Sequence, residues 1–349
     1  MEIGVDSFVA FLPAAKHGLP VSGSERMQAL LAEVETADRV GLDVFGIGEH
    51  HRAEFLDSAP AIILAAAAAR TENVRLNSAV TVLSAADPVR VFQDFATIDL
   101  ISKGRVEMVA GRGSFIEAFP LFGFAREDYD ALFAEKLDLL LKLRDATHIT
   151  WRGKFRPALT GQGVYPRPMQ SKLPVWLGVG GTPASFERAG TLGLPLMIAI
   201  IGGGFARFRP LVDRYFEAGR RAGHDTAELK IAIHAMGFVS ETDEIAREAF
   251  YPGWARVMND IGRERGFPPA NRAQFERLCD PEGAFLVGSP QTVRDKIIAA
   301  DKTLGGISRI TFQMSTAMLE TERMQQSIEL LGTQVSPQVK AALGDKSTP

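Results

Sequence analysis

Hydrophobic residues recur along the chain in short blocks, and the stretches between the blocks carry helical spacing. Strand-like runs occupy 3–9, 43–49, 74–82, 105–110, 174–180, 195–201, 229–239 and 307–314. Helix-like stretches lie near 24–40, 60–70, 88–102, 127–145, 183–192, 206–223, 241–265, 290–304 and 321–332. A strand followed by a helix returns the chain to the starting edge, so successive strands must run parallel. Repeating that unit along the chain predicts an α/β fold, a closed (β/α)8 TIM barrel with insertion segments, as one domain over 1–335. A doubly wound open sheet is the alternative reading.

Local chemistry sharpens several boundaries. Asp87-Pro88 and Ser289-Pro290 each put a capping side chain ahead of a proline at the first helical position, where a missing N–H costs nothing. Gly104 stands where a left-handed residue ends a helix before the next strand. Two segments break the alternation, 148–172, with a hairpin around Arg152-Gly153, and 266–284. Long irregular stretches in a compact domain are usually functional, so both are expected to wall or cover a pocket. Trp151, Phe155 and Tyr165 in the first suit either an apolar channel or packing within the hairpin. Residues 336–349 read as a polar C-terminal tail.

Composition narrows the function classes. The 349 residues are 46% hydrophobic, ample for a large core. With 39 basic against 42 acidic residues the net charge is −3, and no basic block occurs, so neither nucleic acid nor a membrane surface has electrostatic support as a partner. A small-molecule substrate is the expectation. The single cysteine, Cys279, and strand-like sequence from Ile3 onward fit a cytoplasmic protein without a leader. The apolar run at 61–69 stops at Arg70, short of the roughly 20 residues a membrane span needs, and reads as a buried helix.

Candidate chemistry sits at three strand ends. In VFGIGEHH (44–51), alternation puts Val44, Gly46, Gly48 and His50 on one face and Phe45, Ile47, Glu49 and His51 on the other. If Phe45 and Ile47 pack outward, the glycines leave space inside the barrel beneath His50, at the carboxyl end where barrel enzymes carry their active groups. The bland alternative is a polar turn capping the next helix. A metal site is disfavoured, since adjacent strand residues point to opposite sides and no matching ligand spacing occurs elsewhere. Arg112 follows the fourth strand between Gly111 and Gly113, and offers planar donors to an anion or simply decorates a turn. After the fifth strand, Gly180-Gly181-Thr182-Pro183 opens a helix whose N–H groups suit a phosphate, although the glycine-rich loop at 201–205 would serve equally on these grounds. His234, inside the seventh strand, reads as a core or pocket-wall residue before a second base. Together these clusters imply a phosphorylated cofactor without naming it.

FGIGEHHRAEF, the block from Ser78 to Gly123, PVWLGVGGTP and VGSPQTVRDKI resemble the luciferase-like monooxygenase family, flavin-dependent barrels that include bacterial luciferase. The resemblance implies that His50 is the active-site histidine near the reactive edge of the flavin, with Glu49 and His51 in support. It implies that Arg112 reaches the flavin phosphate, with Gly180, Gly181 and Thr182 completing that seat. Ala79-Val80, next to small Ser78, falls where relatives carry a non-prolyl cis peptide behind the isoalloxazine ring. The activity so implied is monooxygenation of a small organic substrate by reduced FMN and O2 through a C4a-peroxyflavin, with a separate NAD(P)H:flavin reductase and a homodimer. A deazaflavin-dependent dehydrogenase and a non-catalytic flavin-binding protein are the alternatives. Gly111 replaces the cysteine of bacterial luciferase, so light emission does not carry over. Phosphate sites of barrels commonly follow strands 7 and 8, so the earlier seat rests on the resemblance.

Overall fold

The structure is a computed structural model that describes residues 1–11, 22–113, 115–266 and 268–344. Its strands are β1 (Glu2–Ser7), β2 (Val44–Ile47), β3 (Arg75–Ser78), β4 (Thr81–Val82), β5 (Val106–Gly111), β6 (His148–Trp151), β7 (Leu159–Gly163), β8 (Val175–Val179), β9 (Leu196–Ile200), β10 (Ile231–Val239), β11 (Leu286–Gly288) and β12 (Arg309–Gln313). Parallel pairing runs β1-β2-β3-β5-β8-β9-β10-β12 and returns from β12 to β1, which closes an eight-stranded barrel and excludes the open sheet. The predicted run 74–82 is interrupted: β3 ends at Ser78, the Ala79–Val80 peptide is cis, and pairing with β5 resumes at β4. Short β11 extends the end of β10.

The helices are α1 (Gly23–Arg39), α2 (Pro60–Ala68), α3 (Pro88–Ile101), α4 (Ala118–Leu121), α5 (Tyr129–Asp145), α6 (Pro183–Thr191), α7 (Arg209–Arg221), α8 (Asp243–Arg265), α9 (Arg272–Cys279), α10 (Pro290–Leu304), α11 (Thr321–Leu330) and α12 (Ser336–Leu343). Asp87 and Ser289 cap α3 and α10 through their side chains, and Gly104 has φ +86°. Two separate apolar clusters reflect the two faces of the strands. Phe45, Ile47, Leu76 and Met108 pack outward with the helices, whereas Val109, Trp176, Met197 and Ala232 fill the barrel against Val80. A buried ionic layer closes the amino-terminal end, where Arg309 meets Glu107 and Glu2 at 2.7 Å each.

Helices α6 and α7 approach so closely that a Cβ on Gly190 would stand 2.1 Å from the Tyr215 carbonyl oxygen. Alanine is the better helix former by about 1 kcal/mol, but that oxygen is main chain and cannot rotate away. We expect Gly190→Ala to lower the thermal midpoint in calorimetry by the equivalent of about 1–3 kcal/mol of overpacking. Gly202→Ala, whose Cβ meets open space, is the control expected to leave the midpoint unchanged.

The irregular segments are held by contacts with helices. Segment 148–172 does form a hairpin, β6–β7, and it clasps the outer helices. Trp151 Nε1 donates to Asp138 on α5, Arg156 pairs with the α3 cap Asp87, Gln93 on α3 donates to the Tyr165 carbonyl, and Arg167 donates to the Leu143 carbonyl. Packing therefore accounts for Trp151. Segment 266–284 contains α9, whose Cys279 is buried and whose Phe275 packs among Phe250, Trp254 and Phe285. Residues 336–344 are not a frayed tail. Val335 and Val339 supply an i, i+4 apolar pair that buries α12, and Lys340 pairs with Asp43 at 2.9 Å. Residues 345–349 of the predicted tail lie outside the described residues.

Candidate active site

Gly46 of β2 and Gly48 just beyond it shape the site first. A Cβ on Gly46 would fall 2.0 Å from Asp6 Oδ1, and one on Gly48 would fall 2.5 Å from the Phe8 ring and 2.7 Å from Asp57 Oδ2. Only glycine lets these groups close in beneath His50. His50 follows β2 and is 7% exposed. Asp57, fully buried, grips it twice: Oδ1 accepts the His50 backbone N–H at 3.0 Å and Oδ2 lies 2.8 Å from Nδ1. Burial pushes the Asp57 carboxyl above the usual range, against the opposing pull of its His50 contacts. With Nδ1 committed to Asp57, Nε2 is the nitrogen free to act. It has no partner among the described residues. Phe8, Phe55 and Phe115 surround the ring at 4.5, 4.6 and 5.4 Å between centroids.

The neighbouring polar residues tie the mouth together. Glu49 accepts from Val82 N at 2.8 Å and lies 3.2 Å from His51 Nε2, so this pair joins β2 to the chain beyond the cis peptide. Arg52 binds Glu54, Glu117 and Glu264 while covering the Phe115 ring at 5.0 Å. Glu264 belongs to the last turn of α8, and Gly253, midway along that helix, rests against Ala317 beyond β12. Helix α8 thus reaches from the segment beyond β12 to the loop after β2, at the carboxyl end of the barrel.

Ala79 and Val80 form a bulge that the surrounding glycines accommodate. A Cβ on Gly111 would lie 2.5 Å from Val80, and one on Gly178 would lie 2.7 Å from it. These glycines of β5 and β8 therefore make room for Val80, a reason the sequence pattern did not reveal. Ser78 is buried and exchanges hydrogen bonds with Val109.

Arg112 extends from the end of β5. Its guanidinium meets Asp130 at 2.6 Å and lies over Tyr129 at 5.1 Å, while the Tyr129 hydroxyl donates to the Gly113 carbonyl. The neighbouring strand β8 ends at Gly180, Gly181 and Thr182, all exposed. Thr182 is the N-cap of α6, yet its side chain accepts no hydrogen bond from the helix, and ideal Cβ atoms on Gly180 and Gly181 would meet nothing within 4 Å. The arrangement is an open cradle at a helix N-terminus with a guanidinium on the adjoining strand end. His50, Ala79-Val80, Arg112 and 180–182 thus follow consecutive strands of one barrel, at its carboxyl end. A separate cavity of about 640 Å³, lined by Arg26, Glu244, Arg256, Met318 and others, includes neither His50 nor Arg112.

Asp57, Phe8, Phe55 and Asp6 were not found from sequence. Asp57 lies seven residues beyond His50 in an irregular loop, and nothing in its spacing marks it as a partner. Among the described residues no three His, Cys, Asp or Glu side chains are grouped to hold a metal ion, and no helix is long and apolar enough to cross a membrane.

Comparison with known proteins shows the family and the fold. The chain is 26% identical over 352 residues to 4-hydroxyprotoasukamycin monooxygenase of Streptomyces nodosus subsp. asukaensis, covering 97% of this chain and 93% of that protein. The fold matches the oxygenating constituent of 3,6-diketocamphane monooxygenase from Pseudomonas putida, solved with FMN, at TM-score 0.78 and 21% identity over 97% of this chain and 98% of that one. It also matches the coenzyme F420 dependent tetrahydromethanopterin reductase of Methanopyrus kandleri at TM-score 0.74 and 18% identity, over 97% and 99%. The luciferase-like monooxygenase model matches residues 7–306, and the chain belongs to that family.

Proposed function

We propose that this protein is an FMN-dependent monooxygenase acting on a small, carbon-rich organic substrate. The observation that carries the reading is the pairing, at one end of one barrel, of an imidazole fixed through Nδ1 with an open helix N-terminus flanked by an arginine. An isoalloxazine is flat and apolar along one side and carries a phosphate at the end of a flexible chain. The Val80 bulge and the interior apolar cluster suit the ring, while Gly180, Gly181, Thr182 and Arg112 suit the phosphate. The donor set therefore fits the group.

Reduced FMN, when bound, supplies the electrons that activate O2, and a separate NAD(P)H:flavin reductase delivers it in that form. The residues of this chain do the rest. Arg112 and the N–H groups of Gly181 and Thr182, at the start of α6, hold the phosphate. Val80 supports the ring from behind. Asp57 keeps the His50 ring oriented so that Nε2 can hold or release a proton at the reacting edge. Phe8, Phe55 and Phe115 keep bulk water from that nitrogen, and α8 is latched by Arg52 to the loop after β2.

Equilibrium titration tests the cofactor assignment. Loss of a charge-assisted hydrogen bond costs about 1.5–3 kcal/mol, so Arg112→Ala should weaken FMN by roughly 10–150-fold. Riboflavin, which has no phosphate, should bind both proteins alike. Equal FMN affinity for the two proteins, or tighter binding of a deazaflavin than of FMN by the wild type, would count against the reading.

A further inference from the structure

A second imidazole–carboxylate pair stands inside the same barrel. His234, from the middle of β10, holds Asp6 of β1 through Nδ1 at 2.6 Å, and Thr311 of β12 donates to the same Asp6 oxygen. His234 is 6% exposed and Asp6 1%. The Asp6 carboxylate has one further oxygen, Oδ1, which is buried without a partner beside Gly46 and Asn77. A histidine serving only to satisfy a core aspartate would be expected to have its other nitrogen bonded or sealed. His234 Nε2 has no partner among the described residues, and it is absent from the buried polar atoms that lack one, so it reaches open space.

Phe8 shows which space that is. Its half-buried ring lies between the two histidines, stacked on His234 at 5.5 Å and 18° and tilted against His50 at 4.5 Å and 53°. Both imidazoles are therefore fixed in the same way, by a carboxylate on Nδ1, on two sides of one phenyl ring at the mouth.

We propose that His234, positioned by Asp6, is a second acid–base residue of this cavity, exchanging a proton at Nε2 across Phe8 from His50. The inference rests on the monooxygenase reading and deepens it. In the overall reaction reduced FMN, O2 and substrate give oxidised FMN, the oxygenated substrate and water. Both hydrogens that the cofactor loses end on the oxygen that leaves as water. Two imidazole stations let one group accept a proton while the other donates one, and exchange with solvent after product leaves restores both. Without substrate the same two hydrogens leave as hydrogen peroxide.

Carbethoxylation by diethyl pyrocarbonate, read residue by residue by peptide mass spectrometry on the wild-type protein, tests the placement without requiring turnover. The expected result is that His50 and His234 are both modified, more slowly than exposed His148, and that saturating FMN protects both while leaving His148 unchanged. If His234 stays unmodified, or is modified without protection while His50 is protected, the inference falls and the cofactor reading stands. If FMN binds and protects neither histidine, the cofactor reading falls as well. His234→Gln, whose amide can still donate to Asp6, gives the second readout. It should bind FMN as the wild type does, yet release hydrogen peroxide from reduced FMN and O2 at least about tenfold more slowly, at the modest end of acid–base effects. A rate within about twofold of wild type, at the scale of no acid–base loss, would make His234 a structural residue.

Discussion

His50→Ala should bind FMN with nearly wild-type affinity and lose turnover by about 10²–10⁴-fold, the usual worth of a positioned acid–base group. The separation of the two effects follows from position. The phosphate seat is built after β5 and β8, whereas His50 follows β2, so removing the imidazole leaves the main anchoring charge intact. The backbone grip of Asp57 on His50 N is also retained, because that bond does not involve the side chain. The assay combines FMN, an NAD(P)H-driven reductase and a panel of small organic metabolites, with oxygen uptake and product mass as readouts. Activity near wild type would remove His50 from the chemistry. Loss of FMN binding would move it from proton handling to cofactor anchoring.

The largest stability effect is expected at the opposite end of the barrel. Arg309 is buried and shared between Glu107 and Glu2, and its guanidinium lies over the Trp176 ring at 4.6 Å. Removing one member of such a pair leaves an uncompensated buried charge, so Arg309→Ala should cost about 3–5 kcal/mol. Replacing the charges together with apolar groups would cost far less. Burial on its own would push the Glu107 carboxyl up, but the Arg309 charge and hydrogen bond, with Arg75 and the Trp176 indole, outweigh it and hold Glu107 below the ordinary carboxylate range. A depressed carboxylate stabilises the fold fully above its unfolded-state pKa, about 4.3 for glutamate, and the contribution is lost as pH falls through the lower native value. Wild-type protein should therefore lose stability below about pH 4 through this group, and Arg309→Ala should show a shallower acid limb in chemical denaturation. An acid limb of the same slope in both proteins would contradict the assignment.

The sequence made the barrel legible because eight parallel strands buried on both faces read as nearly continuous apolar runs. It also made legible that Gly46 and Gly48 face inward beneath His50, since alternation requires it once Phe45 and Ile47 pack against helices. What it hid depended on distance in the chain. Asp6 and His234 are 228 residues apart, and no local period links them. Gly111 and Gly178 each make way for Val80, a packing role that no local pattern marks. The segment 148–172 looked like a cover because it is long and breaks the strand–helix alternation. Its place on the outer helices is fixed by Trp151 and Arg156, whose partners Asp138 and Asp87 lie in other segments. Conversely, α8 looked like an ordinary outer helix, and the Arg52–Glu264 pair and the Gly253–Ala317 contact reveal that it reaches the loops after β2 and β12.

A crystal structure of the protein soaked with FMN tests the central claim most directly. The phosphate should lie on Arg112 and the N–H groups of Gly181 and Thr182, with the isoalloxazine between Val80 and the His50 Nε2. FMN found in the cavity lined by Arg26 and Arg256, or with its phosphate away from Arg112, would contradict it.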